Sequence, residues 1–391
     1  MSTNQKNVLI QTFGCQMNKL DSELISGSFI DAGYKLVDSE AKADVILVNT
    51  CSVREHAEER VYSRMMNLKP LKAKKPGLVI GIIGCMAQKD KEGIFKRLPH
   101  VSLVCGPHRY KSIVKEVDKL RSKDIVKSVS VDKEGLVKGE SYEHSTFLAD
   151  KNHAFVQVMR GCDNFCSYCI VPYVRGKEIS RPPEDIIAEV SSLLDRGVKE
   201  ITLLGQSVTG YGKSLDKKVN LSYLLRELQR STLHAPRYTL SFITSHPSDI
   251  TGELLATMKE FPEIKRELHM PAQSGSDRIL KMMRRRYTRA EYLDIVRKAK
   301  ALMPDPPERL ASSSRAGIRI VSDFIVGFPT ETDADFQDTV SLVKEAGFYK
   351  VFIFKYSPRS GTRAAKLTDD VPMETKKKRN NYLLDAFKKT K

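Results

Sequence analysis

Cys162, Cys166 and Cys169 fall within eight residues, in the run GCDNFCSYC. Three thiolates at that spacing can wrap one face of a cuboidal iron–sulfur cluster. They leave one iron without a protein thiolate, open to the amino and carboxylate groups of a ligand. A structural zinc site prefers four protein ligands, and no fourth cysteine is close. His153 could be recruited, so zinc stays open as an alternative, as do idle thiols.

Four more cysteines, Cys15, Cys51, Cys85 and Cys105, bring the count to seven. An odd number without export features argues for metal ligation or catalysis over a disulfide framework. Cys15, Cys51 and Cys85 are 36 and 34 residues apart, so no local motif joins them. Each, however, closes an apolar run that reads as a buried parallel strand, at 8–13, 44–49 and 78–83. Parallel strands align their carboxyl ends along one edge, where open α/β sheets bind ligands. Cys51 and Cys85 also precede helical patterns, whose N-termini stabilise thiolates. One such cysteine would be ordinary packing; three in equivalent places predict a second metal cluster. Cys105 ends a short apolar run without an equivalent partner and is expected not to be a ligand.

The elements that must position these thiols form an α/β protein. Residues 1–125 read as an open parallel sheet with crossover helices around 19–31 and 54–68. A fourth strand is expected at 101–104. Residues 126–152 are polar and read as a poorly packed connector. From 153 to 375, strands at 155–160, 200–204, 238–243, 267–270, 318–326 and 351–356 alternate with helices at 183–196, 221–231, 289–303 and 334–346. That is a partial (β/α)6 barrel, and the cysteine triplet follows its first strand at the end where such barrels keep their chemistry. Residues 304–315 read as a surface loop, and 376–391 as a basic helix or tail. Lys and Arg total 65 against 48 Asp and Glu, a net charge of +17 that favours a polyanionic partner. No apolar stretch is long enough to span a bilayer and the N-terminus lacks an apolar signal region, so a cytoplasmic protein is expected.

The triplet, with aromatic Tyr168 just before its last cysteine, resembles the radical S-adenosylmethionine superfamily. The set as a whole resembles the methylthiotransferase family of radical enzymes, in its MiaB-type tRNA branch. The motifs are TFGCQMN at 12–18, NTCSVREHAEER at 49–60, GCMAQ at 84–88 and GCDNFCSYCIVPYVRGKEISRP at 161–182. The resemblance implies two 4Fe-4S clusters. One, on Cys162, Cys166 and Cys169, reduces S-adenosylmethionine to a radical. The other, on Cys15, Cys51 and Cys85, carries sulfur. The implied reaction adds a methylthio group to carbon-2 of an isopentenyl-modified adenosine beside the anticodon of tRNA.

LLGQ at 203–206, TSHP at 244–247, HMPAQSGSD at 269–277 and VGFPTE at 326–331 all fall at strand carboxyl ends. Within them, with Tyr168, the residues Gly205, Gln206, Ser245, Gln273 and Ser274 are candidates for binding S-adenosylmethionine. Arg175, and Arg285 in MRRRYT at 283–288, are candidates for tRNA phosphate. Turn capping, packing and plain solvation are the competing readings for these polar residues. The implied partners are the anticodon loop, whose splayed bases are accessible, an external one-electron donor, and iron–sulfur assembly or sulfur-donor proteins. A monomer is expected. The family usually continues into a small RNA-gripping β-barrel, which the chain ending at Lys391 does not reach. A ribosomal-protein substrate, a non-catalytic iron–sulfur RNA sensor and a zinc scaffold are the competing functions.

Overall fold

A computed structural model describes residues 5–52, 55–132, 147–235, 237–243, 245–305 and 317–390. The chain divides into two compact units. One is Met1–Lys151 with Val171–Lys177; the other is Asn152–Ile170 with Glu178–Lys391.

In the first unit β1 (Asn7–Phe13), α1 (Gln16–Asp31), β2 (Lys35–Leu36), β3 (Val45–Thr50), α2 (Glu55–Asn67), α3 (Lys69–Lys74), β4 (Val79–Gly84), α4 (Cys85–Asp90), α5 (Gly93–Arg97), β5 (Leu103–Cys105), α6 (Ile113–Ser122) and β6 (Ser128–Ser130) follow one another. The strands make one sheet in the order β2-β1-β3-β4-β5-β6, parallel throughout. Successive side chains of a strand point to opposite faces, and here both faces are covered. Ile46, Val48, Ile80 and Ile82 enter one apolar cluster, with Met65 of α2 and Leu68 just after it. Val45, Leu47, Val79 and Ile83 enter the other, with Ile25 and Phe29 of α1 and Val117 of α6. This is why β3 and β4 are apolar without alternation.

The second unit contains β7 (His153–Gln157), β8 (Met159–Arg160), β9 (Ile179–Ser180), α8 (Pro183–Asp195), β10 (Glu200–Leu204), α9 (Leu221–Ser231), β11 (Thr239–Phe242), α10 (Gly252–Glu260), β12 (Glu267–His269), α11 (Asp277–Met282), α12 (Arg289–Leu302), β13 (Arg319–Val326), α13 (Asp333–Ala346), β14 (Lys350–Lys355) and α14 (Met373–Lys388). Between β8 and β9 lies α7 (Val171–Arg175), which packs with the first unit. Strands β7, β10 and β11 pair in parallel, as do β12, β13 and β14. Leu240 joins the two sets, donating to the Glu263 carbonyl at 2.8 Å and accepting from Lys265 N–H at 2.8 Å. The result is the expected six-stranded partial barrel. Its helices start where the sequence supplies caps: Asn220, Thr251, Ser276, Thr288 and Thr332 each accept a first-turn N–H.

Three expectations need correction. The connector is not all connector, because β6 lies inside it and pairs with β5. The first barrel strand is broken at Val158, after which β8 leaves to pair antiparallel with β9. The basic 376–391 segment is not all surface charge: Lys376 and Arg379 are buried, while Lys377 and Lys378 between them are exposed. Lys376 Nζ lies 2.6 and 2.7 Å from the Asp369 carboxylate oxygens. Arg379 lies 2.7 Å from both Glu331 and Asp333. Gly327 makes room for this helix, since a Cβ there would overlap the Lys376 stem. Most of the 304–315 loop lies outside the described residues.

Candidate functional site

In the first sheet, Phe13 of β1 is in register with Thr50 of β3, and Thr50 with Gly84 of β4. Cys51 and Cys85 are therefore register equivalents one residue past the sheet, and Cys15 stands one further on the neighbouring strand. The Cys51 side chain hydrogen-bonds Cys15 and holds its thiol down at about 6 against the desolvation of the site, with help from the Arg175 charge. Burial pushes the Cys85 thiol up, while Arg175 opposes the rise. Cys105 is the register partner of Ile83 and sits in the apolar cluster, short of this edge.

A buried amide pair shapes the edge. Asn18, fully buried in the first turn of α1, accepts from Cys15 N–H at 3.2 Å. It donates to Asn49 Oδ1 at 3.0 Å and to the Thr50 carbonyl at 3.1 Å. Asn49 returns a bond to the Asn18 carbonyl at 2.9 Å. Gly84 adopts φ +93, and a Cβ there would collide with the Thr50 carbonyl and Asn49 Oδ1. Only glycine gives both that conformation and that approach.

The second triplet lies in the loop after β8. Cys169 N–H donates to the Cys166 carbonyl at 3.0 Å, closing a tight turn, and Phe165 takes φ 46. Asn164 Nδ2 lies 3.4 Å from Cys162 Sγ. Arg285 Nη1 lies 3.3 Å from Cys166 Sγ. Tyr168 packs beside the Ile279, Met283, Phe328 and Tyr356 cluster, and burial raises its phenol well above the usual range.

The remaining candidates sit at strand ends with different duties. Gln206 accepts from Gly161 N–H and so ties the end of β10 to the cysteine loop. Gly205 is required by Met159, whose sulfur a Cβ would overlap. Gln273 takes φ 68 and donates its N–H to Asp323 at 2.8 Å. The Ser274 hydroxyl meets Thr339 at 3.3 Å and accepts from Ser276 N–H, docking α13. Ser245 behaves otherwise. Its Oγ is buried without a hydrogen-bond partner among the described residues, as are Ser207 Oγ and His246 Nε2. Buried polar atoms are normally paired, so this rim fits a polar ligand. Burial, then the charges of Arg285, Arg286 and Lys213, hold His246 down at about 2, as a neutral imidazole.

Both phosphate candidates have partners within the fold. Arg175 is buried within the first unit, 2.6 Å from Asp21 Oδ2 and 3.2 Å from Cys85 Sγ. Arg285 spends its donors on Cys166, Tyr287 and the Pro271 carbonyl. Each arginine thus serves a cysteine sulfur. Asn18, Asn49 and Asp21 carry roles that the sequence reading did not assign. The signal was present in Asn18 and Asn49, polar residues embedded in the two cysteine motifs. Glu178 was missed as well; burial raises its carboxyl to about 7.

The donor sets suit iron–sulfur clusters: two groups of three soft thiols, all seven cysteines being free of disulfides. Among the described residues no three His, Cys, Asp or Glu side chains converge as ligands of a single metal ion. A cuboidal cluster takes one thiolate per iron and spreads its ligands around its corners. No helix of the described residues is long and apolar enough to cross a membrane.

Residues 7–106 match the model of the uncharacterized protein family UPF0004, and residues 156–343 that of the Radical SAM superfamily. The tRNA-2-methylthio-N(6)-dimethylallyladenosine synthase of Anoxybacillus flavithermus is 44% identical over 383 residues, covering 96% of this chain and 68% of that one. The enzyme of the same name from Clostridium novyi is 41% identical over 394 residues, covering 99% and 83%. Among solved structures, the radical S-adenosylmethionine methyltransferase TsrM from Kitasatospora setae superposes with TM-score 0.63 at 12% identity, over 92% of this chain and 74% of that one. The cobalamin-dependent radical enzyme OxsB superposes with TM-score 0.59 at 14% identity, over 99% and 56%. At such identities these two speak to the fold alone.

Proposed function

Because the chain belongs to the tRNA-2-methylthio-N(6)-dimethylallyladenosine synthase family, we propose that its six strand-end cysteines form two separate cluster sites with separate duties. The protein is a radical S-adenosylmethionine transferase that places a methylthio group on N(6)-dimethylallyladenosine of tRNA, using 4Fe-4S clusters. Cys162, Cys166 and Cys169 hold the radical-generating cluster. Cys15, Cys51 and Cys85 hold the sulfur-carrying one. The observation that supports the division is the register of the first sheet, which sets three thiols from distant sequence on one edge.

When bound, the first of these clusters supplies the electron that cleaves S-adenosylmethionine. The residues around it bind and orient. Arg285 fixes the Cys166 sulfur, Asn164 the Cys162 sulfur, and Gln206 the loop backbone at Gly161. Ser207, Ser245 and neutral His246 offer unpaired polar atoms to the bound S-adenosylmethionine. Among the earlier candidates, Gln206 and Ser245 keep a part in this site. Tyr168, Gly205 and Gln273 shape its walls.

The target adenosine lies beside the anticodon, where unpaired bases are accessible. The basic surplus holds the RNA backbone, so binding weakens steeply with salt. An external one-electron donor and a source of replacement sulfur serve the enzyme, in the cytoplasm. The test is expression in a host that lacks tRNA methylthiolation, followed by mass analysis of digested tRNA. A methylthio gain on dimethylallyladenosine, lost on Cys51→Ala or Cys162→Ala, is expected. Absence of any gain from a chain that carries both clusters and cleaves S-adenosylmethionine would refute the substrate.

A further inference from the structure

Arg175 is a costly residue to place where it stands. It is 6% exposed and its partner Asp21 is 5% exposed. Burying an ion pair rarely repays its desolvation, and apolar replacements of like volume are often as stable. Stability alone therefore gives a poor reason for this pair.

The geometry gives a better one. Nη2 and Nη1 lie 2.6 and 3.5 Å from the two carboxylate oxygens of Asp21. Two-point seating on Asp21 fixes the plane of the guanidinium. Nε–H then points at Cys85 Sγ, 3.2 Å away. A lysine has three donors but no rigid planar fork, so seating it on Asp21 does not aim a donor at the sulfur. Cys15 is held differently, by the Asn18 amide and the Cys51 thiol.

We propose that Arg175 is a positioning residue that sets the reduction potential of the Cys15, Cys51 and Cys85 cluster, through its hydrogen bond to the Cys85 sulfur. The inference rests on the reading of these cysteines as cluster ligands. Hydrogen bonds to ligand sulfurs and nearby charge are among the factors that tune such clusters. A buried cation bonded to sulfur stabilises the form carrying one more electron. Asp21 aims the arginine and offsets part of its charge, so the sulfur receives a directed bond more than a bare field.

The test uses the full chain with Cys162, Cys166 and Cys169 all changed to Ala, so that only this cluster remains. Iron content and the midpoint of a spectroscopically followed redox titration are read for this parent, for Arg175→Lys, and for Arg175→Met combined with Asp21→Leu. The double change leaves no stranded buried charge. The double variant is expected to keep its iron and to be at least tenfold harder to reduce, which is about 59 mV for one electron. Arg175→Lys is expected to recover only part of that shift. An unchanged midpoint with full iron would overturn the inference while leaving the cluster reading intact. Loss of iron from a folded double variant would overturn it too, since the arginine would then merely hold the thiol in place. A parent without iron would overturn the reading beneath it.

Discussion

Replacing Asn18 by alanine removes the latch that fastens the start of α1 to the ends of β1 and β3. The side chain is fully buried. It accepts from Cys15 N–H at 3.2 Å and donates to Asn49 Oδ1 and the Thr50 carbonyl at 3.0 and 3.1 Å. Truncation strands the buried Asn49 acceptor, at about 1–3 kcal/mol, and loses the bond to the exposed Cys15 N–H, at about 1 kcal/mol, so the local loss is roughly 2–4 kcal/mol. Hydrogen exchange measures that loss where it occurs. Lys19 N–H, bonded to the Cys15 carbonyl at 3.1 Å, is the reporter, and Ile46 in the middle of β3 is the control. Protection of Lys19 should fall about 30- to 700-fold at about 1.4 kcal/mol per tenfold, with Ile46 little changed. Gly14 offers a coupled check, since a Cβ there would overlap Asn18. Gly14→Ala and Asn18→Ala together should cost less than the sum of the two. Protection of Lys19 within threefold of wild type, or equal loss at Ile46, would refute the latch.

Glu178 gives a pH dependence. Burial raises its folded-state carboxyl to about 7 from an ordinary 4.5. A raised pKa contributes stability that is complete below about 4.5 and is lost as pH rises through about 7. The thermal midpoint of the second unit should therefore decline between pH 5 and pH 8 by more in the wild type than in Glu178→Gln; parallel profiles would refute this. Arg379→Met leaves Glu331, 4% exposed, without its cation, and should cost about 3–5 kcal/mol. Denaturant melts followed at α14 measure that cost, and a loss below 1 kcal/mol would refute the buried pairing. Gly84→Ala must leave φ +93 and push back the Thr50 carbonyl. Iron bound by the first triplet should fall sharply, whereas full iron would show that the strand end can adjust.

The cysteines were legible because their signal is one-dimensional. Cys162, Cys166 and Cys169 are close in sequence. Cys15, Cys51 and Cys85 each end an apolar strand whose lack of alternation marks burial on both faces. Parallel pairing then sets their register without any knowledge of contacts. The arginines were not legible. Arg175 lies in a motif of the second unit's sequence yet packs in the first, and nothing in its neighbours names Asp21 or Cys85. Nothing in the basic 376–391 segment marked Arg379 and Lys376 as buried, because their carboxylates, Glu331 and Asp369, are 48 and 7 residues away. The brief strand Ser128–Ser130 was hidden in a polar stretch, since an edge strand needs little apolar content. Ser274 was legible as a strand-end residue, but its hydroxyl contact with Thr339, 65 residues away, was not.

The division into two cluster sites is tested most directly by counting iron in three anaerobically prepared chains. These are the wild type, the chain with Cys15, Cys51 and Cys85 changed to Ala, and the chain with Cys162, Cys166 and Cys169 changed to Ala. Two 4Fe-4S clusters predict about eight irons in the first and about four in each of the others. Each single-site chain should also show its own distinct redox midpoint. Full iron in either triple variant, or none in both, would contradict the account.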